Sequence, residues 1–213
     1  MAMIWSLGLA LASALTLLGG CAPTQQATHV KLSGFLGDYS KLREGGKGNP
    51  LLFYWNPQTD FRLYDKVRIV PVTIWRGEDS SLDNVPPQEL QHLATLLEAK
   101  IIEAVKAEGL QVVHEPGPGV MRIRAALTEA RQADVVLDRI SSRVGKAGIE
   151  GEITDSKTGE VLAAMVDRRA GARTLQGTRT SWSHVEQAIQ YWSDRLRQRL
   201  CEERSGQYCV PAE

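Results

Sequence analysis

The chain carries no charged residue before Cys21, and its apolar run from Met3 to Leu18 stops abruptly at Gly19, Gly20 and Cys21. That run is shorter than the ~20 residues a comfortable membrane span requires and matches the apolar region of an export signal. Of all the sequence features this one constrains folding most. It predicts that residues 1–20 are removed from the folding problem and that the rest folds in an exported, oxidising compartment. Export signals usually carry Lys or Arg ahead of the apolar core, whereas only Met1, Ala2 and Met3 precede Ile4 here, so a start further upstream is expected. The alternative is a buried helix that stops at a glycine pair. The extreme N-terminal position and the cysteine directly after the glycines favour the signal.

Leu18, Gly19, Gly20 and Cys21 resemble the bacterial lipobox, an apolar residue and two small residues before an obligatory cysteine. The resemblance implies cleavage between Gly20 and Cys21, a diacylglycerol on the Cys21 sulfur and an acyl group, such as palmitate, on its amine. One acyl chain binds a bilayer marginally and two or more bind it stably, at about 0.8 kcal/mol per buried CH₂, so Cys21 would be a permanent membrane anchor. In Gram-negative members of that class an Asp after the cysteine tends to retain the protein at the inner membrane. Ala22 stands there instead, which implies the periplasmic face of the outer membrane. The polar, aperiodic residues that follow are expected to form a flexible lipidated tether over 21–32, with a single domain over 33–213.

The remaining chain is long enough for one domain with a real core. With 25 basic and 25 acidic residues, all after Cys21, its charge is balanced, which gives no reason to expect nucleic acid as a partner. Asp167, Arg168 and Arg169 form a local cluster expected at a solvated strand end. Besides Cys21 the cysteines are Cys201 and Cys209, which in an oxidising compartment read as a disulfide around the turn formers Ser205 and Gly206. His29, His92, His114 and His184 have no metal-ligand spacing, and solvated or capping roles are expected of them. The Gly45–Gly48 stretch lacks the Lys-Ser/Thr of a phosphate loop, and there is no Gly-x-Ser-x-Gly elbow. No catalytic residue, metal or cofactor is therefore assigned, although distant carboxylates such as Asp134 and Glu150 could still meet in the fold.

Two helices are legible. Leu90, Leu93, Leu97, Ile101, Ala104 and Val105 recur at helical spacing between Pro86-Pro87 and Gly109. Val185, Ala188, Ile189, Trp192, Leu196 and Leu200 do the same after Ser183 and Glu186, which stand in capping-box spacing. Strands are expected over Leu51–Trp55, Leu110–His114, Val120–Gln132 and Lys146–Thr154. A hairpin turn at Asp155–Gly159 then leads into a strand from Glu160 to Arg169. Val67–Trp75 is β-rich on both faces like a central strand, while Pro71 within it argues for a bulge or an edge.

This order predicts an α+β fold, a mostly antiparallel sheet with two principal helices packed on one face. "SGFLGDYSKL", "GPGVMRIRAALTEA", "GIEGEITDSKTGEVLAAMVDRR" and the closing Trp192 helix together resemble the bacterial lipoprotein family called "domain of unknown function 3313". The resemblance implies a single-domain lipoprotein and assigns no activity. Two functions are expected from the residues: a non-enzymatic binding or assembly protein with an envelope protein as partner, or a periplasmic hydrolase or carbohydrate-binding protein with a site of scattered acidic and aromatic residues. The aromatics between Phe35 and Phe61 either pack on the sheet or present Phe35, Tyr39 and Trp55 as an interaction surface, packing being the expected outcome.

Overall fold

A computed structural model describes residues 24–29, 31–46, 48–77, 80–133, 145–171 and 182–209. Gly20, Cys21 and Asp134 lie outside the described residues. The elements are β1 (Gln25–Gln26), β2 (Arg43–Glu44), β3 (Leu52–Trp55), β4 (Lys66–Ile69), β5 (Thr73–Ile74), α1 (Pro87–Ala107), β6 (Gln111–Val112), β7 (Val120–Arg131), β8 (Lys146–Asp155), β9 (Val161–Ala170) and α2 (Ser183–Ser205). The strands form one mixed, mostly antiparallel sheet in the order β2-β3-β9-β8-β7-β4-β6, with β1 added to β9 and β5 to β7. The long β7, β8 and β9 meander antiparallel through its centre, whereas β4 and β5 run parallel to β7 and β6 runs parallel to β4.

Pro71 is accommodated by breaking the strand. Three residues lie between Ile69 and Thr73 while two lie between their partners Ile123 and Ala126, so one residue bulges out between β4 and β5. Val70 N–H still donates to Ile123 O, and Val72 N–H is taken by Glu98 Oε2 of α1 at 3.0 Å. The segment is thus flanked on both sides at β4, by β7 and β6, and paired with β7 alone at β5, past the Pro71 interruption. At the other end of α1, Gly109 at φ +74° closes a Schellman motif, with Leu110 N–H on Val105 O and Gly109 N–H on Lys106 O.

The expected hairpin is present: Asp155 Oδ1 accepts from the Lys157 and Thr158 amides at 2.9 and 2.8 Å, and Gly159 has φ +76°. Those amide bonds, the Thr158 bond foremost, hold the Asp155 carboxyl below its usual range. The capping box at α2 is not made. The helix starts at Ser183 itself, Trp182 occupies the N-cap without a side-chain bond, and the Ser183 hydroxyl is buried with no partner among the described residues. The tether differs as well. Gln25 and Gln26 pair with Ala170 and Arg169, so the chain joins the sheet well before residue 33.

Central strand residues alternate between two apolar clusters. The larger joins Leu90, Leu93, Leu97 and Ile101 of α1 and Val185, Ile189, Trp192 and Leu200 of α2 with Met121, Ile123, Leu127, Ile149 and Ile153 of the sheet. The smaller joins Phe35 and Leu36 to Ala126 and Val166, which occupy alternate positions of β7 and β9. After α2, Gly206 at φ +68° turns the chain and Cys201 is bonded to Cys209, their Cα atoms 6.1 Å apart.

Candidate functional site

Three arrangements hold the polar and cavity-forming residues. At the first, the N-terminal arm is gripped by two buried charges of β9. Arg169 donates through Nε to Thr24 Oγ1 (2.8 Å) and through Nη2 to Thr24 O (2.5 Å), and its guanidinium lies 3.5 Å from the Tyr191 ring centroid. Asp167 is wholly buried and accepts from Trp192 Nε1 (2.7 Å), Gln26 Nε2 (3.0 Å) and Leu51 N–H (3.2 Å). The solvated strand end expected of Asp167 and Arg169 is therefore corrected, because the arm and α2 enclose them. Arg168, on the opposite face, is paired with Glu129.

The second arrangement is a strap over residues 33–42. Glu150 is wholly buried and accepts from Ser33 N–H (2.7 Å) and the Tyr39 hydroxyl (2.6 Å), which in turn accepts from Gly34 N–H (2.8 Å). Burial and then the Glu150 contact push the Tyr39 hydroxyl pKa up. Trp75 Nε1 donates to Ser33 O, Phe35 meets Trp75 edge-on at 5.6 Å, and the Arg124 guanidinium sits 4.5 Å from the Phe35 ring centroid. Arg124 also bonds Glu152 at 3.0 Å.

The third is an apolar cavity of about 110 Å³ between α2 and the sheet. Phe53, Met165, Gly151 and Ala125 lie side by side in register on β3, β9, β8 and β7. The two small residues leave a hollow there. A Cβ on Gly151 would rest in ordinary van der Waals contact with Arg124 O at 3.5 Å and the Ala125 Cβ at 3.8 Å, so a small side chain there is accommodated without a clash. Leu196 covers this hollow from α2, and it is the one member of the expected apolar stripe that is only half-buried. At Arg195 and Arg199 the cavity adjoins an open polar hollow that also includes Gly48, Glu202 and Tyr208.

Phe35, Tyr39 and Trp55 do not come together as one surface. Phe35 is 6% exposed in the smaller cluster, Tyr39 is half-buried against Glu150, and Trp55 packs with the larger cluster, stacked on Phe61 at 4.9 Å. The sheet separates Phe35 from Trp55. Trp55 lines the cavity, and its Nε1 is buried with no acceptor among the described residues.

His29, His92 and His114 are exposed, whereas His184 is buried between Gly145 and Gly171 and accepts Gly145 N–H on Nδ1 at 3.3 Å. Burial lowers the His184 pKa and favours the neutral ring that this bond requires. A capping or solvated role for His184 is thereby corrected. Among the described residues no group of three His, Cys, Asp or Glu side chains is placed to hold a metal ion. The two buried carboxylates do not face one another: Asp167 pairs in register with Ile149 and Glu150 with Val166, which sends the two side chains to opposite faces.

Sequence reasoning placed Asp167 in solvent, named Glu150 only as a carboxylate to meet Asp134, and missed Gly151. Asp167 had a signal, an acid continuing the alternate positions Ala163 and Met165 that meet the core. Glu150 had none, since only the strap, remote in sequence, buries it.

Among the described residues no helix is long and apolar enough to cross a membrane. No curated protein matches the chain. Solved structures with which it shares a likeness include the PelC dodecamer of Paraburkholderia phytofirmans (17% identity, 68% of this chain and 94% of that one, TM-score 0.42). Protein XCC0632 of Xanthomonas campestris gives 12% identity over 71% and 92%, with a TM-score of 0.45. Lipoprotein GNA1162 of Neisseria meningitidis gives 12% identity over 53% and 87%, with a TM-score of 0.36. The profile of the family described as "Protein of unknown function (DUF3313)" matches residues 31–196, most of the chain, and to that family this protein belongs.

Proposed function

We propose that this protein is an envelope lipoprotein whose signal peptide, residues 1–20, is cleaved at Gly20–Cys21 and whose acylated Cys21 holds it at the periplasmic face of the outer membrane. Its α+β domain, with both helices on one face of the sheet, binds another envelope protein. The observation that carries this reading is the grip of Arg169 on Thr24. Thr24 is three positions from Cys21, a reach of at most about 10 Å, so an anchor at Cys21 would hold the folded domain directly against the bilayer. Shared membership of one apolar core supports the placement of the two helices.

The partner surface belongs to the strap, beside which Leu32 (44%) and Trp75 (37%) are exposed, Trp75 being bonded to Ser33 O. The hydrolase reading finds less support, since Glu150 and Asp167 point apart and each is engaged with the chain's own amides. Replacing Cys21 by Ser tests the anchor. Metabolic labelling with a radioactive fatty acid should mark the parent and not the variant, and fractionation should move the variant out of the outer membrane. Equal labelling of both would overturn the proposal.

A further inference from the structure

The cavity under α2 has walls that account for the packing of α2 and a rim that does not. Its interior is formed by Phe53, Trp55, Ile123, Met165, Trp192 and Leu196, with Gly151 at the floor. The lining is almost wholly apolar and suits apolar groups, and at about 110 Å³ the cavity is smaller than the ~150 Å³ engineered cavity that admits benzene. A flexible alkyl chain end suits it better than a ring.

At its rim stand two arginines with different partners. Arg199 is paired with Glu202 at 3.0 Å. Arg195 Nη1 donates to the neutral Gln198 Oε1 at 2.5 Å, and among the described residues no carboxylate lies within 4 Å of its guanidinium. A half-buried cation without a carboxylate partner beside an apolar cavity is complementary to a molecule with an anionic head and an alkyl tail.

We propose that this cavity binds a single-chain alkyl carboxylate, the tail lying over Gly151 between Phe53 and Trp192 and the carboxylate meeting Arg195. The site is independent of the anchor at Cys21 and of the partner surface on the strap. Each buried methylene is worth about fourfold in affinity, so selectivity rises with chain length until the cavity is full.

The test uses the full chain carrying Cys21→Ser, so that no attached lipid competes, and sodium octanoate as the probe. Titration calorimetry, with Trp55 and Trp192 fluorescence as a second readout, should show saturable binding of one octanoate. Butanoate should bind at least fifteenfold more weakly, two or more buried methylenes being lost, whereas hexanoate, whose tail already fills a cavity of this size, should bind much as octanoate does. Octan-1-ol, which keeps the tail and lacks the charge, should bind roughly tenfold more weakly than octanoate. The Arg195→Gln variant should lose the same factor for octanoate and leave octanol unchanged.

Gly151→Val fills the cavity, and binding should vanish while circular dichroism stays that of the parent. Ala125→Val serves if that variant fails to fold, and the Arg195→Gln comparison decides if neither folds. No saturable octanoate binding up to about 1 mM, octanol bound as tightly as octanoate, or an Arg195→Gln variant that binds octanoate like the parent would each overturn the proposal.

Discussion

Asp167→Asn is the substitution whose cost can be worked most directly from the geometry. The carboxylate receives three donors on two oxygens: Gln26 Nε2 and Leu51 N–H share Oδ1, and Trp192 Nε1 approaches Oδ2 at 2.7 Å. An asparagine has the same shape and only one accepting oxygen. Turned toward Gln26 and Leu51, it points its NH₂ at the Trp192 donor. Turned the other way, it abandons two donors. Either orientation loses a charge-assisted bond and leaves a buried donor facing another donor, and Arg169 Nη1, 4.0 Å away, loses its carboxylate.

The first effect is worth about 1.5–3 kcal/mol and the unsatisfied donor about 1 kcal/mol more, so a loss near 3 kcal/mol is expected. For a domain of this length that is roughly 6–12 °C in Tm. Urea unfolding of the parent, Asp167→Asn, Trp192→Phe and the double variant closes a cycle. Because Phe removes the opposing donor, the double variant should be more stable than the sum of the singles by about 1–2 kcal/mol. A loss below about 1 kcal/mol, or additivity within about 0.5 kcal/mol, would refute the assignment of Asp167 as the clasp that joins the N-terminal arm to α2.

Removing the Tyr39 hydroxyl (Tyr39→Phe) leaves the buried Glu150 with the Ser33 amide as its remaining donor and should cost about 1.5–3 kcal/mol in denaturant unfolding, with earlier proteolysis inside residues 31–42. His184 has a folded pKa below its ordinary 6.5, so the unfolded chain binds the extra proton first. The stability it contributes is full above pH 6.5 and is lost as the pH falls from there through the lowered folded value. Thermal melts should fall across that window in the parent and less in His184→Asn, well above the range below pH 3.8 where Asp155 titrates. Reducing Cys201–Cys209 opens a loop of eight-residue separation and should cost about 2–3 kcal/mol by loop-closure entropy, read as a lower Tm in reductant and not in a Cys201→Ser/Cys209→Ser variant.

The helices were legible because their apolar stripes are local signals: Leu90 through Val105 and Val185 through Leu200 mark the buried faces without knowledge of what covers them. Asp155–Gly159 was legible for the same reason, since an Asx-capped turn needs no distant partner. Ser183 and Glu186 show the limit. Their spacing fits a cap, but the helix begins at Ser183, one residue too late for its hydroxyl to act as N-cap. Glu150 and Arg124 share the face that alternation marks as wet, and Glu150 is buried there because the strap around Phe35 and Tyr39 crosses it. Leu196 fits the helical stripe perfectly by spacing. Its incomplete burial comes from Gly151 and Ala125, which are neighbours only through the β7–β8 register. Position along one element was readable, whereas what lies opposite was set by pairings between residues far apart in the chain.

The outer flank of β9 is closed in pieces. Trp55 through Leu52 pair with residues 163–166, Asn56 N–H reaches Leu162 O, Ala27 N–H reaches Arg168 O, and Gln25–Gln26 finish the ladder at residues 169–170. The strands at the rims, β2 and β6, are two residues long. Among the described residues no long, flat row of free amides and carbonyls is thereby offered to a second chain, the condition under which neighbouring sheets zip together edge to edge. The N-terminal arm is in this sense a guard: deleting residues 24–27 would bare the end of a ten-residue strand and invite strand exchange between copies, whatever else the arm does.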